Sequence, residues 1–347
     1  MIIISILFSV IVVIVLLFII IGKGLSTKPY KGPITDHFNG HRFKNPSGIS
    51  AKGFKDVGKY MLKREKDKWT KKKNPFVRKE PIVRVDKKEI QYTFINHATF
   101  LLQINGLTIL TDPIFSEYCS PVPLPSMRRN RPPGVALDLL PPIDIVLMSH
   151  NHYDHMDKES IQKIIKKWNP SFITLLGNKH TLEKMGVRDV TELDWWQSIK
   201  YKGLEITSTP TNHFSSRGTF DRNTSLWGGF VLAGANKKIY FLGDSGYSDV
   251  FKEIGNRLGP MDLSLIPIGA YMPRWFMSPI HISPEEAVQV HIDTNSKKSI
   301  AMHFGTFELA DDNPERAIKE LNDALIKKEI PKDSFSIIEE GNVYILE

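Results

Sequence analysis

Three patterns of hydrophobic and polar positions divide the chain. From Ile2 to Ile21 every residue is apolar except Ser5 and Ser9. As a helix, about 20 such residues would span roughly 30 Å of hydrocarbon, so residues 1–22 are expected to form an N-terminal transmembrane helix. A cleaved signal peptide fits less well, because no Lys or Arg precedes the run and no small-x-small site follows it. Residues 23–86 are rich in Lys, Pro and Gly with little periodicity, as in a linker and an extended arm, with a short helix expected around Gly53 to Lys66.

Regular periods begin at Gln91. Gln91 to Ile95, Phe100 to Ile104 and Leu107 to Thr111 are short apolar or β-branched runs, and Asn105-Gly106 is a two-residue hairpin signal. A proline-rich excursion from Pro113 to Pro142 is long enough to be a functional loop. It precedes the strand Ile143 to Met148. Downstream, helical spacing at Ile161, Ile164, Ile165 and Trp168 alternates with strand-like runs at Ser171 to Leu176, Leu204 to Thr209, Trp227 to Ala233 and Lys238 to Leu242. The last two read as a hairpin through Asn236-Lys237. Helices are expected near Lys179 to Met185, Asp249 to Leu258, Ser283 to Ile292 and Pro314 to Lys328, and strands at Leu263 to Ile268, Ser299 to Phe304 and Phe335 to Leu346. Ser283-Pro284-Glu285-Glu286 supplies an N-cap, an N1 proline and early acids. The series predicts an α/β domain over residues 87–347: two mixed sheets packed face to face with helices outside.

Charge adds a surface. The chain of 347 residues carries a formal net charge of +8, with a basic stretch from Lys63 to Lys73, which suits an anionic surface. Next to an apolar anchor that surface is a membrane. No recognition helix or aromatic-interleaved motif supports nucleic acid. Lys23, Lys28 and Lys31 follow the anchor, so the positive-inside rule favours a cytoplasmic catalytic domain. The single cysteine, Cys119, excludes an internal disulfide framework.

The chemistry concentrates after the strand ending at Met148. Ser149-His150-Asn151-His152-Tyr153-Asp154-His155 brings three imidazoles and a carboxylate together, the donors that Zn²⁺ and similar ions take. His213, Asp244 and His303 also follow apolar runs. Side chains at the ends of neighbouring strands can converge although far apart in sequence. Asp244, standing before Ser245-Gly246, equally fits a turn.

The whole set resembles the metallo-β-lactamase superfamily, whose His-x-His-x-Asp-His motif matches His150, His152, Asp154 and His155. Within it the chain is similar to the N-acylphosphatidylethanolamine-hydrolysing phospholipase D family from roughly Tyr92 to Phe307, through Leu107–Phe115, Pro141–His155, Leu193–Trp196, Gly243–Tyr247, Ile266–Met277 and His303–Phe307. Thr211 to Gly218 matches only at His213. The resemblance implies an αββα sandwich holding two Zn²⁺, one on His150, His152 and His213, the other on Asp154, His155 and His303, with Asp244 bridging. It further implies catalytic roles for Asp112 and His281, the former as an acceptor fixing an imidazole tautomer, the latter as a contact to phosphate or leaving group. Tyr271, Arg274 and Trp275, in a stretch of aromatic, Met and Arg side chains, are expected to line a lipid groove.

The function so implied is zinc-dependent hydrolysis of N-acylphosphatidylethanolamine or a related phospholipid to phosphatidic acid and N-acylethanolamine, through a water activated by two metals. Alternatives are a lactonase or other ester hydrolase of the same superfamily, since fold alone does not set substrate, a nuclease, and a membrane-tethered metal-binding protein without activity. An iron redox site fits the imidazole-rich donor set less well than Zn²⁺. The residues do not specify an oligomeric state.

Overall fold

The computed structural model describes residues 12–13, 16–17, 19–70, 77–87 and 89–347. Most of the expected membrane helix therefore lies outside the described residues; its described parts, including residues 19–25, are helical. Among the described residues no helix is long and apolar enough to cross a membrane.

Among the described residues, fourteen strands form two sheets of seven. The first contains β1 (Gln91–Asn96), β2 (Thr99–Ile104), β3 (Leu107–Thr111), β4 (Ile145–Met148), β5 (Ser171–Leu175), β6 (Val190–Leu193) and β14 (Tyr344–Ile345), in the order β14-β1-β2-β3-β4-β5-β6. The second contains β7 (Ser198–Tyr201), β8 (Leu204–Thr209), β9 (Gly229–Gly234), β10 (Lys237–Phe241), β11 (Leu263–Pro267), β12 (Ser299–Met302) and β13 (Phe335–Ser336), ordered β13-β12-β11-β10-β9-β8-β7. Each sheet joins an antiparallel half to a parallel one: β3, β4, β5 and β6 run parallel, as do β10, β11, β12 and β13. Parallel neighbours need crossovers, and the helices supply several of them.

Alternation within β4 sets the layers. Ile145 and Leu147 face the core between the sheets, with Phe94, Phe100, Phe230 and Phe241. Val146 and Met148 face outward, where they meet Ile161 and Ile164 of α2 (Lys158–Lys167). On the far side, α6 (Pro284–Asp293) and α7 (Pro314–Lys327) cover the second sheet through Val288, Leu321 and Leu325. This is the expected αββα arrangement. Further helices are α1 (Phe54–Leu62), α3 (Lys179–Lys184), α4 (Val250–Leu258) and α5 (Arg274–Met277). Start signals explain their positions: Ser283 and Glu286 close a capping box on α6 with Pro284 in the first turn, and Asp157 accepts from the Ser160 N–H to begin α2.

Two expectations need revision, and two strands had no counterpart among them. The turn between β9 and β10 is centred on Ala235 and Asn236, both at positive φ, one residue before the expected Asn236-Lys237. The single strand expected from Phe335 to Leu346 is two, β13 and β14, in different sheets; the break contains Gly341 at φ +85°, whose Cα closes on the Gly134 backbone. The edge strands β6 and β7 were unexpected: each pairs on one side only, and neither carries a continuous apolar run.

Residues 30–50 are mostly exposed but are pinned to the domain by a few buried side chains. Phe38 and Phe43 are buried with Tyr30 against them, and Phe43 N–H donates to the Asn223 carbonyl. The helix expected near Gly53 to Lys66 is α1, docked by the Tyr60 hydroxyl and the Arg64 guanidinium on the Asp311 carboxylate.

Candidate metal centre

The candidate donors collect at one rim of the sandwich because the parallel strands all end there. Asp112 follows β3, His150 follows β4, Asp244 follows β10 and His303 follows β12. The carboxyl ends of parallel strands are where open α/β sheets expose functional groups. Backbone geometry turns the chain sharply at these points: Asp112, His303 and Gly243 have φ of +31°, +57° and +69°. A left-handed non-glycine residue costs of order 1–3 kcal/mol and persists only where its surroundings enforce it. At Gly243 the enforcement is steric, since a Cβ would lie 2.9 Å from the Gly228 carbonyl oxygen and 2.9 Å from Ser149 Cβ.

Two donor groups result. In the first, His150 Nε2 lies 2.9 Å from His152 Nδ1, and His213 Nε2 lies 3.2 Å from the same atom. In the second, His155 Nε2 lies 3.2 Å from His303 Nε2 and 3.4 Å from Asp154 Oδ2, with His303 Nε2 3.5 Å from Asp154 Oδ2. Asp244 Oδ2 stands between the groups, 3.1 Å from His155 Nε2, 3.2 Å from His303 Nε2 and 3.8 Å from His213 Nε2. Tetrahedral ligands at 2.0–2.1 Å from a metal are about 3.3 Å from one another, so both groups have the spacing of a coordination shell.

Outer contacts decide which ring nitrogen faces inward. His155 Nδ1 is 2.7 Å from Asp112 Oδ2, and Asp112 also accepts from the Ser149 N–H at 2.7 Å and from the Ser149 hydroxyl. His213 Nδ1 donates to the Ile280 carbonyl at 2.9 Å, and the Ser149 hydroxyl is 2.9 Å from His150 Nδ1. Each of these rings therefore presents Nε2 to the centre. The arm takes part: Asn45 Oδ1 accepts from the His213 N–H at 2.9 Å and from Trp227 Nε1 at 3.0 Å.

The electrostatics differ between the groups. Burial, followed by repulsion from neighbouring imidazoles, pushes His150 well below its ordinary value and His152 down to about 3; burial also takes His213 to about 4. These three rings are neutral near pH 7, with lone pairs free for a cation. Burial would lower His155 and His303 too, but the Asp244 and Asp154 carboxylates outweigh it, raising His155 well above its usual range and His303 to about 9. Conversely, burial alone would raise Asp154 and Asp244, yet the adjacent His155 and His303 hold both far below it.

All seven expected ligands thus come together, and Asp112 occupies an acceptor position behind His155. His281 lies at the edge, 8% exposed, its ring centroid 5.1 Å from that of His213 and its Nδ1 unpartnered. Tyr271 is 1% exposed, its N–H donating to Asp312 Oδ1. The Arg274 guanidinium is engaged with the Tyr271 and His281 carbonyls and the Glu286 carboxylate. Trp275 is 41% exposed.

Several residues escaped the sequence reading. His97, in the β1–β2 turn, lies with Asp154, His155 and His303 in one potential metal-binding group. Its one available signal was its place at a strand end, the pattern that marked the others. Arg217 clamps the 150–156 loop by donating to the Asn151 and Met156 carbonyls and covering the Tyr153 ring. A cavity of about 750 Å³ opens beside this loop, with Phe115, Val122, Tyr153 and Arg217 in its wall.

Residues 108–304 match the family described as Beta-lactamase superfamily domain. The chain belongs to the metallo-β-lactamase superfamily. It is 37% identical over 268 residues to the N-acyl-phosphatidylethanolamine-hydrolyzing phospholipase D 1 of Caenorhabditis elegans, covering 73% of this chain and 74% of that protein. The mitochondrial N-acyl-phosphatidylethanolamine-hydrolyzing phospholipase D of Saccharomyces cerevisiae is 36% identical over 63% of this chain and 48% of its own length. A metallo hydrolase from Ignicoccus hospitalis shares the fold, with a TM-score of 0.56 at 20% identity, over 75% of this chain and 99% of that one. As a member of this superfamily with such relatives, the protein is a metal-dependent hydrolase.

Proposed function

We propose that this metallo-β-lactamase superfamily member is a zinc-dependent phosphodiesterase acting on N-acylphosphatidylethanolamine or a closely related phospholipid, giving phosphatidic acid and an N-acylethanolamine. The observation that carries the reading is the position of Asp244 Oδ2, within 3.8 Å of ligand nitrogens from both donor groups. One carboxylate shared in this way suits two ions, with His150, His152 and His213 holding one and Asp154, His155 and His303 the other. Two bound Zn²⁺ ions supply Lewis-acid charge that lowers the pKa of a water and neutralises a phosphodiester. The substrate class rests on the two phospholipase D relatives.

The protein's own groups do the rest. Asp112 keeps His155 in one tautomer, and the Ile280 carbonyl does the same for His213. Burial keeps His281 neutral, well below its ordinary pKa, so it can donate a hydrogen bond to a phosphate oxygen or leaving group without adding charge.

A membrane surface is the proposed partner. Val57, Met61 and Leu62 of α1 are 38%, 61% and 89% exposed. Lys55, Lys59 and Lys63 are exposed along the same helix, and Lys59 Nζ sits 4.9 Å from the Trp275 ring centroid. Apolar side chains rimmed by lysine are the makings of an interfacial helix on an anionic bilayer. Trp275 belongs to α5, the short helix that leads to His281, so bilayer and site would lie on one side of the molecule. The test is release of N-acylethanolamine from vesicles containing the N-acylated lipid, by full-length zinc-loaded protein and by His152→Ala. Release by the first alone is expected. No turnover by the zinc-loaded protein would refute the substrate, and cleavage of a soluble lactone alone would reassign it as an ester hydrolase.

A further inference from the structure

His97 is fully buried and belongs to no expected ligand set, yet it touches two members of the second donor group. Its Nε2 lies 2.9 Å from Asp154 Oδ2, the oxygen that faces His155 and His303. Its carbonyl accepts from the His303 N–H at 2.7 Å, and the two rings lie 4.0 Å apart. His97 is itself rigidly placed: φ is +47°, and its N–H donates to Thr306 Oγ1 at 3.1 Å.

Two roles fit a histidine at such a place, a further ligand or a brace. Co-ligands of one ion approach each other mutually, as His155, His303 and Asp154 do. Although the ligand atoms of all four residues lie within 4.8 Å of one another, His97 Nε2 is at hydrogen-bond distance from Asp154 and, among the described residues, makes no such bond to His155 or His303 Nε2. A carboxylate oxygen can only accept, so at 2.9 Å His97 Nε2 is the donor to Asp154.

We propose that His97 is a positioning residue for the second metal position: its side chain donates to the coordinating oxygen of Asp154 while its backbone fixes His303, so that it governs affinity at that position and not at the one formed by His150, His152 and His213. The inference rests on the two-ion reading above. Partners of this kind typically set metal affinity by 10–100-fold. His97 has no contact of this type with the first donor group among the described residues, so the effect is selective.

The test is zinc titration of the full chain against a competing chelator, together with Co²⁺ absorption spectra, for wild type, His97→Ala and His97→Gln. Wild type should take up two ions. His97→Ala should keep the first affinity and bind the second ion about 10–100-fold more weakly, with a Co²⁺ spectrum altered only in the second equivalent. His97→Gln, whose amide can reach Asp154, should recover most of that loss and fold as judged by circular dichroism. Unchanged binding in His97→Ala, equal losses at both positions, or a folded His97→Gln no better than His97→Ala would overturn the assignment while leaving two-ion binding intact. A wild-type protein taking up fewer than two ions would overturn both.

Discussion

At the scale of single residues, the site is a problem of direction. An imidazole has two nitrogens and serves a cation with one, so what the other touches decides whether it can serve at all. Asp112 makes the case most fully. It is 0% exposed, and its two oxygens accept from the Ser149 N–H, the Ser149 hydroxyl and His155 Nδ1. Asp112→Asn replaces one acceptor by a donor that must face another donor. We expect zinc affinity to fall by about 10–100-fold with the fold retained; competition titration with circular dichroism checks this, and unaltered affinity would refute the role. The ligand types and the His150 to His155 spacing were legible in the sequence because they occupy one loop. The tautomer partners were not, since Ile280 acts through a backbone carbonyl that carries no residue identity.

At the scale of elements, what matters is how strands end. β3, β4, β10 and β12 deliver Asp112, His150, Asp244 and His303 to one rim, and the chain must turn abruptly to leave room for them. Gly243 permits one such turn, in a left-handed conformation where a Cβ would meet both Gly228 and Ser149 at 2.9 Å. Gly243→Ala should therefore destabilise the protein by more than about 1 kcal/mol, measured as a lower urea midpoint with unchanged slope; a stability equal to wild type would contradict the steric account. Strands with strong internal pattern, such as Leu107–Thr111 and Leu204–Thr209, were readable end to end. β6 and β7 were not. At a sheet edge a strand needs only one partner, and the exposed–intermediate alternation of Ser198–Tyr201 has little apolar signal to read.

At the scale of the whole molecule, the arm and the outer surface decide how the site is held and approached. His37 fastens the arm: its ring stacks on Trp195 at 4.5 Å, with Nε2 2.8 Å from Asp194 Oδ1 and Nδ1 2.6 Å from Asp36 Oδ1. Burial would depress its pKa, but hydrogen bonds to Asp194 and Asp36 outweigh that and raise it. A raised pKa stabilises the protonated folded state, so the contribution is complete below the ordinary value of 6.5 and is lost as pH rises through the higher folded value. The melting temperature of wild type minus that of His37→Gln should shrink over this rise; a difference that grew would reverse the assignment. On the outer surface, the double substitution Met61→Glu and Leu62→Glu should weaken binding to anionic vesicles at least about tenfold while leaving zinc content unchanged. Sedimentation with vesicles measures it, and undiminished binding would remove α1 as the contact. The sequence alone determined the αββα class, the metal-binding chemistry and the family, because periodicity and a compact ligand motif are local properties written in consecutive residues. Only the tertiary structure placed Asn45, His97 and Arg217 in contact with the ligands and their loops, tied Tyr271 and Arg274 into the protein, and set Asp244 between two donor groups. Those are relations between segments distant along the chain, and they exist only once the two sheets have closed on each other.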